Sequence, residues 1–179
     1  MCRLLAFTSL ERKSFYDVVG SDFEKFVALS AEHKDGWGIG YEGEVIKDLI
    51  PAKESDLLSE TGKNLETAGA LFHLRLASKG LTIDIDNNHP FTYGTTTFMH
   101  NGTIRPADTA EQFINDKYRS LITGTTDSER FFYALLSQID ELGLVEGVRK
   151  TVNLVRAIAD YSAINIMVQT PDTLIAVCE

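Results

Sequence analysis

Cys2 stands directly behind Met1 in "MCRLLAF". Excision of Met1, which a small second residue permits, puts a thiol and a free α-amine on one residue. An unperturbed α-amine titrates near about 7.7–8.0, so part of it is neutral at pH 7. It can take the thiol proton, directly or through one water, and return it to a leaving amine. Cys2 would then be nucleophile and base together. The plainer alternative is a small hydrophobe at the head of a strand.

Three further stretches carry reactive or ligand-binding groups. In "FHLRLASKG", Arg75 follows His73 by two residues, so on a strand both project to one face. A buried guanidinium takes a carboxylate in its fork. Spacing alone leaves open whether that carboxylate comes from a ligand or from this chain. "FMHNGTI" ends a predicted strand with Asn101-Gly102, readable as a tight hairpin turn. It also reads as an oxyanion hole, with the Asn101 amide and the Gly102 N–H as donors and glycine allowing close approach. Asp127 of "GTTDSERFF" falls in the first turn of a predicted helix. There it serves as favourable charge at a helix start, or as the carboxylate that receives a substrate ammonium.

Other patterns match by letter and fail on physics. Gly38-x-Gly40-x-x-Gly43 has the dinucleotide-binding spacing, but "EVIKDLI" follows where a helix is required. "DIDNNH" begins like a calcium loop, yet His89 occupies the glycine slot. His73, His89 and His100 lie on different segments with no HExxH spacing, so structural histidines are favoured over zinc.

The elements that must position these groups follow from periodicity. "CRLLAFT" reads as a buried strand. Residues 14–33 read as helical, with Ser21 and Glu24 spaced as a capping box. "GWGIGYEGEVIKDLI" is a hairpin turning near Glu42-Gly43. A helix over 54–66 precedes the strand "AGALFHLRLAS"; "IDIDNNHPF" is loop and "TTTFMH" strand. Helices are predicted near 107–116, 127–141 and 144–159, the second with Thr126 and Glu129 in capping-box spacing. "INIMVQT" and "LIAVCE" close as a hairpin about Pro171-Asp172. Strands come in runs rather than alternating with helices, which predicts an α+β fold of antiparallel sheets covered by helices.

The 179 residues fit one domain, 1–179, large enough to fold without staples. A net charge of −9 with no Lys/Arg cluster argues against a nucleic-acid surface. No secretory pattern and no apolar run of membrane-spanning length occurs, which predicts a cytoplasmic protein with no membrane partner. Cys2 and Cys178 are then expected to stay reduced, and the sequon at Asn101 to carry no glycan.

Taken in order, "MCRLLAF", "HKDGWGIGY", "FHLRLASKG", "NNHPF", "FMHNGTI" and "TTDSE" resemble the class II glutamine amidotransferases, members of the N-terminal-nucleophile (Ntn) hydrolase superfamily. The closing "INIMVQTPDTLIAVC" is similar to the family's late hairpin. The resemblance implies a four-layer αββα sandwich of two antiparallel sheets. It implies that Cys2, freed of Met1, attacks the glutamine side-chain amide, with Asn101 and Gly102 as the oxyanion hole. By the same resemblance Arg75 takes the substrate α-carboxylate, with Ser78 nearby, and Asp127 takes the α-ammonium. Gly36 and Trp37 line the pocket, and His73, His89 and His100 support the site. Lys79 stands where some relatives carry a second His. The family fold often continues past the point reached at Glu179, so a short sheet edge or a trimmed end is expected.

The implied reaction needs no cofactor and no metal. It makes ammonia and glutamate through a thioester, with glutamine or another γ-glutamyl compound as substrate and a separate synthetase subunit as the ammonia acceptor. A γ-glutamyl amide or peptide hydrolase using the same Cys2 is the nearest alternative. A non-catalytic amino-acid-binding subunit and a zinc hydrolase are the more distant ones.

Overall fold

The computed structural model describes residues 2–77, 80 and 82–179. Eight strands form two four-stranded sheets. The first contains β1 (Arg3–Lys13), β2 (Trp37–Tyr41), β3 (Glu44–Asp48) and β4 (Thr67–Leu74) in the order β1-β4-β2-β3. The second contains β5 (Phe91–Tyr93), β6 (Thr96–Arg105), β7 (Asp160–Thr170) and β8 (Thr173–Val177) in sequence order. Every pairing is antiparallel.

Strand alternation builds the layers. On β2 and β4, Trp37, Ile39, Ala70, Phe72 and Leu74 pack with Phe15, Phe23 and Leu58 of α1 (Phe15–Val19), α2 (Asp22–Ala28) and α3 (Asp56–Asn64). On β6 and β7, Phe98, Ile104, Ile164, Ile166 and Val168 pack with Phe131, Phe132, Leu135 and Val155 of α5 (Asp127–Leu142) and α6 (Leu144–Ile158). The intervening residues of each sheet meet the other sheet. Several are glycines because there is no room: a Cβ on Gly38 would collide with the His89 carbonyl, one on Gly40 with Thr97, and one on Gly69 with Gln169. The result is helices, sheet, sheet, helices, the expected sandwich. Each fully buried Phe or Leu of its two apolar layers contributes roughly 1.5–3 kcal/mol.

The Gly38-x-Gly40-x-x-Gly43 stretch is the β2–β3 hairpin, with Glu42 and Gly43 both at positive φ in its turn (48° and 88°). Three expectations fail locally. Residues 14–33 form two short helices broken at Gly20, and the capping box is Ser14–Asp17, while Ser21 makes no side-chain cap. At α5, Thr126 does cap by accepting the Glu129 N–H, but the Glu129 carboxylate turns instead to the Thr123 and Gly124 N–H groups. Residues 107–116 hold a 3-10 turn (Thr109–Phe113) rather than a helix, followed by the one-turn α4 (Asp116–Arg119).

Candidate active site

Cys2 lies just ahead of β1, whose register sets Arg3 against Leu74. That register delivers Cys2 to the residues following β4. The Leu76 N–H points at Cys2 Sγ from 3.4 Å, and the thiol faces the Leu76 carbonyl at 3.6 Å. Burial raises the thiol pKa; the Leu76 N–H is the largest influence lowering it. The resting sulfur at neutral pH is therefore a thiol, which would have to lose its proton to act as a nucleophile.

Arg75 is held by its own backbone, which continues the ladder onto residues 35–36: its N–H donates to Gly36 O (2.9 Å) and its carbonyl accepts from Asp35 N–H (3.2 Å). The Asp35 carboxylate accepts the Ala77 N–H at 2.9 Å. Gly36 sits at φ 121°, where a Cβ would lie 2.7 Å from Asp48 O. The Arg75 side chain is 3% exposed, and Nη2 donates to Thr82 O at 3.1 Å. Nη1 is buried without a partner. Among the described residues no carboxylate lies within ion-pair distance of Arg75. The Asp35 and Asp84 carboxylates act on it only from beyond that distance. A buried cation without its anion is a standing cost, relieved when a carboxylate arrives.

Asn101 and Gly102 lie inside β6, opposite Asn165 and Ile164, so the dipeptide is not a hairpin turn. The Asn101 amide donates to Cys2 O at 3.1 Å, tying the second sheet to Cys2, and its second N–H has no partner among the described residues. Ile164 N–H is engaged by Glu179 O on the β8 side. Antiparallel alternation then turns the Gly102 N–H away from β7, toward the edge that β5 leaves open beyond Phe98. A Cβ on Gly102 would collide with Ala163 O, so the missing side chain serves the neighbouring strand, a reason the sequence alone does not reveal.

Asp127 is the first helical residue of α5, and one oxygen accepts the Ile104 N–H where the β6–β7 register shifts. The carboxylate thus fastens the helix to the strand just past Gly102 and keeps lone pairs for a ligand. His100 bridges Ser128 Oγ (2.9 Å) and Ala163 O (3.3 Å). His73 and His89 stack with ring centroids 4.4 Å apart.

Cys2, Arg75, Asn101, Gly102, Asp127, His89 and His100 line one cavity of about 140 Å³. Leu76, Ala77, Asn87, Thr103, Thr126 and Ser128 complete its wall. Asn87 and Ser128 were not anticipated; both stand inside recognised motifs, the only signal the sequence offers for them. Gly36 and Trp37 do not line it: Trp37 is fully buried in the core between the first sheet and its helices. Strand alternation explains this, since Trp37 faces the helices while the neighbouring Gly38 faces the other sheet. His73 is likewise behind the wall. Met1, Ser78 and Lys79 lie outside the described residues. Cys2 and Cys178 are both free thiols. Among the described residues, no group of three His, Cys, Asp or Glu side chains could hold a metal, and no helix is long and apolar enough to cross a membrane.

The buried imidazoles make stability depend on pH. Burial, and after it Arg75, pushes His73 down to about 3; burial also depresses His89 and His100. An unfolded histidine titrates near about 6.5. Between those values the unfolded chain binds a proton at His73 that the native chain does not, so stability rises with pH. Going from pH 7.5 to 5 should remove about 2 kcal/mol through His73 alone, with His89 and His100 adding in the same direction. Urea unfolding at the two pH values measures it. Equal midpoints would mean these rings protonate in the native state.

The family model described as class-II glutamine amidotransferases matches residues 1–179. Over 168 residues the chain is 28% identical to the Saccharomyces cerevisiae protein DUG3, described as a probable glutamine amidotransferase; the match covers 80% of this chain and 47% of that protein. The chain spans about half the length of the curated relatives it matches. A glutamine aminotransferase class-II domain protein from Silicibacter pomeroyi superposes with a TM-score of 0.66 at 20% identity, over 99% of this chain and 76% of that one. The glutamine phosphoribosylpyrophosphate amidotransferase of B. subtilis gives 0.65 at 17%, over 100% and 37%. These structures share the Ntn-type sandwich. With the family match extending over the whole sequence, the chain belongs to the class-II glutamine amidotransferases.

Proposed function

We propose that the chain hydrolyses the side-chain amide of glutamine through a Cys2 thioester and passes the ammonia to a separate synthetase. The observation that carries this reading is Arg75: a buried guanidinium with a free Nη1, on the wall of the cavity that also holds the Cys2 thiol and the Asp127 carboxylate. A zwitterionic amino acid with a carbonyl on its side chain satisfies all three.

The steps follow from the groups present. With Met1 removed, the Cys2 amine takes the thiol proton as sulfur attacks the γ-carbonyl. The second Asn101 N–H and the Gly102 N–H receive the developing oxyanion. Collapse of the adduct breaks the C–N bond, and the amine returns its proton so that ammonia leaves. Water then attacks the γ-glutamyl thioester, giving its proton to the Cys2 amine. The C–S bond breaks, glutamate forms, and the thiol is restored. Replacing Asn101 by Ala removes one oxyanion donor and should lower kcat on the order of 10²–10³-fold with a smaller change in KM; steady-state ammonia release reads this.

Intact mass before and after a diazo-ketone glutamine analogue tests the reading as a whole. The expected result is a chain lacking Met1 that gains one analogue adduct on Cys2 and releases ammonia from glutamine. Faster cleavage of a γ-glutamyl dipeptide than of glutamine would instead make it a γ-glutamyl peptide hydrolase. Retained Met1 with no adduct would leave an amino-acid-binding subunit.

A further inference from the structure

Asn87 is 3% exposed and lines the same cavity as the two groups proposed to grip the substrate. Its Nδ2 donates to Thr82 O (3.3 Å) and to Thr125 Oγ1 (3.1 Å). Its Oδ1 accepts the Thr125 N–H at 2.8 Å, with Thr125 Oγ1 at 3.4 Å. The Thr82 carbonyl that Asn87 engages is the same one that receives Arg75 Nη2. Thr125 lies two residues before Asp127, in a segment that Glu129 fastens to α5 through the Thr123 and Gly124 N–H groups. The two segments also touch closely at Gly124, where a Cβ would lie 2.6 Å from Asn87 Oδ1 and 2.8 Å from Asp86 O.

One side chain therefore joins Arg75 to the helix start that carries Asp127, through a line of hydrogen bonds. The carboxylate and ammonium of an α-amino acid are separated by a single carbon, so two groups that read both ends must keep a fixed spacing. We propose that Asn87 is a positioning residue that sets the Arg75–Asp127 spacing, and so selects γ-amides bearing both a free α-carboxylate and a free α-ammonium. The inference rests on the proposed γ-glutamyl amide reading and deepens it. Asn87 acts through its neighbours, and no step of the reaction passes through it.

The test compares glutamine with 5-amino-5-oxopentanoate, the same amide without the ammonium, in wild type, Asn87→Ala and Asn87→Asp. Misplacement by about 1 Å costs roughly 10²-fold in a positioned site. Asn87→Ala should raise the glutamine KM by about that factor with a much smaller change in kcat, and the preference for glutamine should shrink correspondingly. Alkylation of Cys2 by iodoacetamide should keep its wild-type rate. Asn87→Asp keeps the acceptor for Thr125 N–H but loses both donor bonds, so it serves if the alanine variant does not fold. An undiminished preference for glutamine, whatever the activity, overturns the proposal. If wild type hydrolyses neither amide, the underlying functional reading has failed. Hydrogen exchange of the Thr125 and Thr126 amides then decides the latch by itself: faster exchange in the variants supports it, and unchanged exchange overturns it.

Discussion

Cys2→Ala should abolish the adduct with the glutamine analogue and lower glutamine hydrolysis on the order of 10⁶-fold, the scale seen when a covalent nucleophile is removed from a group that works as a unit. The loss should fall on kcat, because Arg75 and Asp127 still line the cavity and do not depend on sulfur for their places. Glutamine should accordingly still raise the melting temperature of the variant. A form that keeps Met1 should be nearly as inactive while retaining its thiol, since a peptide nitrogen cannot accept the proton. That pair of results would separate the two roles assigned to Cys2. Ammonia release from Cys2→Ala at more than a hundredth of the wild-type rate would place the nucleophile elsewhere.

Arg75→Met should move activity and stability in different directions. Losing one partner of a buried charge pair costs roughly 2–5 kcal/mol in binding, so kcat/KM for glutamine should fall by roughly 30- to 5,000-fold, mostly through KM. In the ligand-free protein the same substitution removes a buried cation whose Nη1 has no partner and which forms no ion pair among the described residues. Methionine fills comparable volume, so the melting temperature should hold or rise. Arg75→Lys should recover only part of the activity, because a single ammonium cannot reproduce the guanidinium fork. A marked loss of stability in Arg75→Met would show an internal partner and remove the main support for a carboxylate ligand.

Some of this architecture was written locally. The Glu42-Gly43 turn, the helix starting behind Thr126 and the closing hairpin about Pro171-Asp172 follow from residues within a few positions of one another. Their hydrogen bonds close over short loops, so a local pattern contains nearly all the relevant physics. The residues that line the cavity were also legible as types: a leading cysteine, a strand arginine, an Asn-Gly pair and an aspartate at a helix start.

What those residues do to one another was not legible, because their contacts bridge long separations. Cys2 meets Leu76 across 74 positions and Asn101 across 99. Asn101-Gly102 has turn-forming chemistry, yet pairing with β7 keeps it in the strand, and the tight fit against Ala163 O accounts for the glycine. The sheet register turned Trp37 into the core, and packing between loops set Asn87 against Thr82 and Thr125, neither of which the immediate neighbours encode. The sequence by itself determined which chemical groups this protein owns and the local elements that carry them. Only the tertiary structure decided which groups share a cavity and that Arg75 enters it without an ion-paired carboxylate, because those outcomes depend on register and burial between segments far apart in the chain.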